Sequence, residues 1–399
     1  MPEIMPENYP MKKICIRQKF TLSYDYPVLF TRNTFSSLNE DLISLIDNQD
    51  ESPKILPVID GGLLAANPAL EVQIANYFSH HHANVLPALL VPGGEDCKND
   101  DTVTDLIYQA VEKHAIDRHS YIVVLGGGAV IDCVGFAAAT AHRGIRLIRM
   151  PTTVLGQNDA GIGVKNAINY HHRKNYVGTF APPFAVVNDF DLLNSLSARD
   201  KRSGISEAIK VALIKDLDFF NELYQNRERL ANFEPKAMQH MITQGAQWHL
   251  NHIASSGDPF ELGSARPLDF GHWSAHKMEE LSQNELRHGE AVAIGIAMDS
   301  IYSNLIGKLK TDQLIKILTL LITLGFNLSH PVLKKLNIKN ALDEFKEHLG
   351  GKLCITLLNG IGTSFETNSI NETLMEKAVS QLLANAIHNS YSDLHDQVC

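Results

Sequence analysis

Three apolar runs in the first half of the chain each end in glycines: residues 54–62, 84–94 and 121–128. Each is followed by a segment of helical character. Near-continuous apolar strands alternating with helices predict a parallel sheet buried on both faces, and ligands of such sheets gather beyond the carboxyl ends of the strands, where these glycines fall. Ahead of them, residues 14–29 mix β-branched, aromatic and polar positions in short alternating runs typical of strands, and residues 1–12 read as a disordered lead. From about residue 195 the pattern turns helical, over 200–224, 235–254, 272–280, 288–306, 311–324 and 372–388, with 352–358 as a late strand or hairpin arm. No internal repeat, low-complexity tract or long linker interrupts the chain. The expected architecture is therefore an α/β nucleotide-binding domain over residues 13–195, followed by a mainly α-helical metal and substrate domain over 196–399, with a cleft between them.

The composition narrows the classes. A chain of 399 residues, 44% hydrophobic and 20% charged, is ordinary globular material for about two domains. A net charge of -10 and a pI near 6.0 give no overall basic bias toward nucleic acid or membrane, although a local group of lysines could still meet an anionic substrate. The five cysteines, Cys15, Cys97, Cys133, Cys354 and Cys399, are scattered and never form Cys-x-x-Cys. Neither a disulfide framework nor a thiolate metal site is expected, and a reducing cytoplasm fits best. The first ten residues carry proline and acid where a signal peptide would be basic and apolar, and no run approaches the ~18 apolar residues of a membrane span.

Candidate chemistry lies in several short segments. Gly126-Gly127-Gly128 joins a strand to an alanine-rich helix bearing Asp132; the free amides of a helix start suit a diphosphate, although a tight turn without ligand accounts for the glycines almost as well. Glu95 and Lys98 follow another strand, where they could hold ribose and phosphate or form a solvated salt bridge, and Asp60 could be a plain turn residue. The loop-like stretch from Pro151 to Asn166 holds Thr152, Thr153, Asp159 and Lys165, with Arg143 before it and Lys174-Asn175 after it. Together these concentrate donors and positive charge where a phosphorylated ligand could sit.

Glu207 and Lys210 lie three apart on an otherwise apolar helix. An intrahelical pair worth about 0.2–0.5 kcal/mol is the plain reading. Charges on such a helix need partners, however, and a metal for Glu207 with an anionic substrate for Lys210 would supply them. His272 and His288 open consecutive helices, and with Glu207 they would make a two-histidine, one-carboxylate metal site with a free position. Zinc is the favoured ion, with cobalt, iron and nickel compatible with the same donors. His276, one turn after His272, becomes the candidate proton-transfer group.

The order and spacing of these motifs resemble the 3-dehydroquinate synthases and the wider sugar phosphate cyclase family over residues 54–362. The shared pattern is Gly-Gly-Glu-x-x-Lys, Gly-Gly-Gly-x-x-x-Asp, Pro-Thr-Thr, Gly-x-Lys, Lys-Asn, Ser-Gly-x-x-Glu-x-x-Lys, Gly-His-x-x-x-His and His-Gly-Glu. The resemblance implies a dehydroquinate synthase-like fold in which Glu207, His272 and His288 bind the metal. It implies NAD held by Glu95, Lys98, Gly128, Asp132, Thr152, Thr153 and Lys174, to which the motifs add Asp60, Gly127 and Asp159. Lys165, Asn175, Lys210, His276 and Lys346 would contact the substrate, and Arg143 would reach a neighbouring subunit's phosphate site in a homodimer.

The implied chemistry oxidises a hydroxyl of a phosphorylated seven-carbon keto sugar with NAD while the metal holds its oxygen, eliminates phosphate, reduces the ketone again, and closes a carbocycle by an intramolecular aldol step. Members that act on the carboxylated sugar acid phosphate carry asparagine where this chain has Asp269 and lysine where it has Asn251; their arginine falls at Ala265, beside Arg266. That exchange should weaken a carboxylated substrate by ~1–3 kcal/mol and resembles cyclases taking the uncharged sedoheptulose 7-phosphate. Two rival readings are a metal-dependent polyol dehydrogenase of the same fold, disfavoured by Lys165, Lys210 and Lys346, and a non-catalytic relative.

Overall fold

The computed structural model describes residues 15–46, 53–171, 173–255, 267–283, 285–348 and 351–384. The lead over residues 1–12, Ala265 and Arg266 lie outside these. Seven parallel strands form the main sheet: β1 (Val28–Thr31), β2 (Lys54–Asp60), β3 (Asn84–Val85), β4 (Leu89–Val91), β5 (Tyr121–Gly126), β6 (Arg146–Pro151) and, after the hairpin β7 (Lys165–Tyr170) and β8 (Arg173–Phe180), β9 (Ala185–Asp189). Their order is β1-β9-β6-β5-β2-β3, with β4 also paired to β2.

Helices α1 (Gly61–Ala66), α2 (Leu70–His80), α3 (Thr102–Lys113) and α4 (Gly128–Thr140) connect the strands. The strands are apolar throughout because alternate residues enter two different cores. Leu56, Val58, Ile122 and Val124 pack on one face, and Ile55, Ile59, Tyr121, Val123 and Leu125 on the other. As the glycine pattern predicts, β2 and β5 each run straight into a helix start, and their carboxyl ends share one edge of the sheet.

The second half contains α5 (Ala198–Ser203), α6 (Ile205–Lys215), α7 (Leu217–Gln225), α8 (Arg227–Ala231), α9 (Pro235–Ser255), α10 (His272–Leu281), α11 (His288–Leu305), α12 (Thr311–Thr323), α13 (Ile338–His348), the hairpin β10 (Ile355–Leu358) with β11 (Ser364–Thr367), and α14 (Glu372–Leu383). Its core is one cluster centred on α6, α11 and α12. α11 is buried nearly all round, so it is the post against which α5, α6, α10, α12 and α14 pack. Among the described residues no helix is long and apolar enough to cross a membrane.

Several expectations differ from the structure. The helix over 200–224 is three, broken at Gly204 and Asp216, where the Asp216 side chain caps α7 through the Asp218 and Phe219 amides. The loop-like stretch 151–166 holds a π-helical turn, Gly156–Ala160, and leads into β7. Of the strand-like residues 14–29, only Val28 and Leu29 enter the sheet. Residues 15–27 form no strand, although the Pro27 carbonyl accepts from the Val186 amide of β9 at 2.9 Å, and Ile16, Phe20, Leu22 and Tyr24 stand 87, 74, 65 and 55% exposed. Alternation specifies a strand only where another edge is there to receive it.

Candidate metal and nucleotide site

Close helix contacts assemble the cluster. α11 begins at His288, and a Cβ on the next residue, Gly289, would lie only 1.8 Å from the Ser203 carbonyl oxygen. Only glycine lets the start of α11 lie on the end of α5, and the Gly289 amide donates to Ser203 Oγ at 3.1 Å. α6 starts two residues later, so Glu207 in its first turn meets His288. The Nε2 atoms of His272 and His288 lie 3.4 and 3.5 Å from the same oxygen, Glu207 Oε1. The three ligand atoms are all within 4.8 Å of one another. Glu207 is buried with Oε2 paired to Lys210, while Oε1 makes no hydrogen bond and faces the two imidazoles, as a carboxylate oxygen placed to receive a metal would.

The other ring nitrogens are already engaged. His272 Nδ1 faces the Phe270 carbonyl at 3.1 Å, and His288 Nδ1 lies 2.7 Å from Glu279 Oε1. Both rings thus turn Nε2 toward Glu207, the usual way a further carboxylate or carbonyl orients a metal-binding imidazole. Glu279 Oε2 accepts from Lys174 Nζ at 3.0 Å. Glu279 was not among the expected residues; its signal was its place three after His276 and seven after His272, on the same helical face. His276 also comes within metal-ligand reach of Glu279 and His288, its ring centroid 5.8 Å from that of His288.

The electrostatics follow from burial and pairing. Burial acts to raise Glu207, but Lys210, His272 and His288 outweigh it and hold the carboxyl well below its usual range. Lys210, buried and in direct ion-pair contact with Glu207, is raised because Glu207 and Asp159 outweigh the burial that would lower it. His288 is pushed up to about 10, its contacts with Glu207 and Glu279 overcoming burial. His276 is pushed down to about 3 by burial and then by the neighbouring His272 and His288. More than a third of the His276 residue is open to water, which screens part of that push; a neutral ring at physiological pH survives the discount. Asp159 is held at about 2, His249 at 2.7 Å and Lys210 overcoming burial.

A second cluster gathers at the carboxyl ends of β4, β5 and β6. Gly127 is the N-cap of α4 and Gly128 its first residue, with no side chain capping the first turn, so its amides are free to meet an anion. Buried Lys98 donates to Asp132 Oδ2 at 3.0 Å and to Asn175 Oδ1. Burial raises Asp132 despite Lys98. Glu95 Oε1 accepts from Asn169 Nδ2 at 3.0 Å, and Thr153 Oγ1 from the Gly156 amide at 3.0 Å. Asp60 caps α1 through Gly62 and Leu63, and Thr152 is buried beside the Gly126 carbonyl. Arg149, fully buried, donates to the carbonyls of Gly161, Gly163 and Lys165 and to Asn166, which fixes the segment carrying Asp159 and Lys165.

The remaining candidates sit apart or at the margin. Lys165 is exposed at the start of β7. Asp269, in the turn before α10, is close enough to act on Lys210 electrostatically. Lys346 is exposed on α13, which meets α10 through the Lys277–Glu344 ion pair at 2.9 Å. Arg143 follows the far end of α4, about 20 Å of helix from Gly128; it lines an open cavity of about 770 Å³ with Ile116, Arg118, Thr140 and His142. The fold does not bring it into this chain's own cluster.

Comparison with known proteins places these features in a family context. The model described as 3-dehydroquinate synthase N-terminal matches residues 88–203, and that described as 3-dehydroquinate synthase C-terminal matches 204–348. A 3-dehydroquinate synthase of Buchnera aphidicola subsp. Baizongia pistaciae is 32% identical over 76% of this chain and 85% of its own length. One from Vesicomyosocius okutanii subsp. Calyptogena okutanii is 34% identical over 73% and 81%. Among solved structures, 2-epi-5-epi-valiolone synthase from Streptomyces hygroscopicus subsp. jinggangensis 5008, with NAD+ and Zn2+ bound, superimposes with a TM-score of 0.84 at 27% identity, covering 93% of this chain and all of its own. A 2-deoxy-scyllo-inosose synthase complexed with carbaglucose-6-phosphate, NAD+ and Co2+ shares the fold with a TM-score of 0.74 at 24% identity, over 89% and 96%.

Proposed function

This chain belongs to the 3-dehydroquinate synthase family and is a carbon–oxygen lyase of the sugar phosphate cyclase type; from that premise we propose that it converts a phosphorylated seven-carbon keto sugar into a carbocycle, using NAD and one divalent metal, zinc by preference. The observation that carries the reading is the buried Glu207 carboxylate, whose Oε1 makes no hydrogen bond and faces the Nε2 atoms of His272 and His288. These three would hold the metal. The α4 start at Gly127 and Gly128, with Asp60, Glu95, Lys98, Asp132, Thr152, Thr153, Asp159 and Lys174 around it, would hold the dinucleotide. Bound there, the pair would supply a reversible hydride acceptor and a Lewis acid for the reacting oxygen.

The chain's own residues supply positioning and proton transfer. Neutral His276, beside His272 and His288, is fit to accept a proton made acidic by oxidation next to it. Lys210, kept charged in the interior, meets developing negative charge without reorganisation. Lys165, Asn175, Lys346 and Arg266 are the remaining substrate contacts of the reading. The reaction proposed is oxidation, phosphate elimination, re-reduction and intramolecular aldol closure, with no net redox change.

For the substrate, Asp269 beside Lys210 favours an uncharged head group over a carboxylate, so sedoheptulose 7-phosphate is the first choice; the full-length likeness to the valiolone synthase supports it. The carboxylated sugar acid phosphate remains the second reading because the curated relatives at 32% and 34% identity are 3-dehydroquinate synthases. Phosphate release from both sugars separates the two, and inactivity with each rejects both. Steady NADH formation from a polyol would instead favour a dehydrogenase.

A cytoplasmic homodimer completes the proposal. Two observations support the dimer: Arg143 lies away from its own site, and the large apolar side chains Ile16, Phe20 and Leu22 stand 87, 74 and 65% exposed. Light scattering of the purified chain tests it.

A further inference from the structure

One carboxylate grips both neighbours of His272, the Gly271 backbone and the Trp273 side chain. Asp299, on α11, is 0% exposed. Its Oδ2 accepts from the Gly271 amide at 3.1 Å and its Oδ1 from the Trp273 indole Nε1 at 3.0 Å. His272 is the residue between these two. Among the described residues no cation pairs with Asp299, so the fold buries an acid on neutral donors alone. For packing by itself an apolar side chain would cost less.

The contact between α10 and α11 explains what the two oxygens do. Gly271, the N-cap of α10, has φ +77 and no side chain of its own to cap the helix. A Cβ there would lie 2.8 Å from the Ile296 amide nitrogen, and one on Gly295 would lie 2.0 Å from the Gly271 carbonyl oxygen. The helices therefore touch backbone to backbone, and α10 is capped from across that contact by Asp299. A fork that grips residues 271 and 273 together stops the intervening peptide from rolling about the helix axis. The His272 ring, with Nδ1 on the Phe270 carbonyl, is then aimed at Glu207 from a fixed base.

We propose that Asp299 is a positioning residue for the metal site: it sets the orientation in which His272 presents Nε2 beside Glu207, so that its loss weakens metal binding more than it weakens the fold. This rests on the metal reading given above. Asp299→Asn keeps the volume and one acceptor but turns an amide N–H toward one of the two donors. Trp273→Phe removes one donor and carries the same test should the first variant fail to fold. Ile301→Val, also buried on α11 at 2% exposure, is a control that loosens packing without touching either hydrogen bond.

Each protein is stripped of metal, its thermal midpoint is recorded, and zinc is returned in competition with a chromophoric chelator. The expected result is a zinc affinity about 10- to 100-fold weaker in Asp299→Asn and Trp273→Phe, with Ile301→Val binding as the parent does even where its midpoint falls equally. Parent-like zinc affinity in Asp299→Asn, or equal weakening in Ile301→Val, would overturn the inference. A parent chain that takes up no zinc overturns the metal reading itself and this inference with it.

Discussion

Loading the metal should expel a proton, and the geometry says from where. In the metal-free chain His288 is pushed up to about 10 because Glu207 and Glu279 both favour its charged form. At about pH 7.5 the ring therefore carries protons on both nitrogens. A metal held by Glu207 and His288 must take the Nε2 position that faces Glu207, while Nδ1 keeps its hydrogen to Glu279 at 2.7 Å. The distance from pH 7.5 to the His288 value is roughly 2.5 units, so proton competition weakens apparent affinity by about 300-fold, or ~3.4 kcal/mol. Affinity should rise about tenfold per pH unit below that value.

Calorimetric titration of stripped protein in two buffers of different ionisation enthalpy reads this directly. The slope should correspond to about one proton released by His288 per metal. A slope of zero would mean that the ring is neutral before the metal arrives, and the charge assignment would be wrong. A histidine raised by its partners stabilises the fold fully below its ordinary 6.5, and that contribution disappears as pH rises through about 10. Metal-free protein should lose thermal stability across this window, and metal-loaded protein should lose less.

Further outcomes follow from neighbouring contacts. Glu279→Gln keeps the size but removes the charge facing His288 and Lys174, and should weaken metal binding by about 10- to 100-fold and reduce the proton release measured by calorimetry. Lys174→Met breaks only the half-exposed side of that chain, worth under ~1 kcal/mol, so its metal affinity should stay near the parent's in the chelator competition. Lys98→Met leaves Asp132 without its cation and should cost about 3–5 kcal/mol in denaturant unfolding, with Asp132→Asn in the same chain restoring part of the loss. Asp269→Asn should move the ratio of kcat/KM toward the carboxylated sugar by about 5- to 150-fold in the phosphate-release assay, and an unchanged ratio would remove Asp269 from the specificity argument.

The sheet was legible where burial was complete. β2 and β5 lie in the middle of the sheet, so their sequences are apolar throughout and end at a glycine or just before one. β6 and β9 were not legible because each carries a polar residue into the interior: Arg149 donates to carbonyls of a later loop, and Asn188 to the Gln157 carbonyl at 3.0 Å. Such residues look exposed until the distant partner is known. The run over 84–91 is split into β3 and β4, paired with opposite ends of β2, with Pro87 between them. In the site, residue types and helix starts pointed to the metal-ligand candidates, whereas Glu279 and Asp299 take their meaning from contacts between helices, which spacing along one helix does not contain.

The hairpin β7–β8 shows how the two clusters are made interdependent. Lys174 and Asn175 are neighbours on β8, where the hairpin register is irregular, and their side chains reach different partners. Asn175, at φ +52, turns its side-chain oxygen to Lys98 and so to Asp132 on α4, while Lys174 reaches Glu279 and through it His288 on α11. One dipeptide therefore spans from the candidate nucleotide cradle to the candidate metal cluster. Its conformation favours asparagine among non-glycine residues, because a left-handed backbone is tolerated best there by a short polar side chain that can find a local partner. The conformation is also held from the main chain: the Asn175 backbone amide donates to Asn169 Oδ1 at 2.9 Å. Lys174 is grouped with the nucleotide by sequence pattern and with the metal ligands by its contact. Both follow if the strand's task is to hold a dinucleotide and a metal at a fixed separation with the sugar between them.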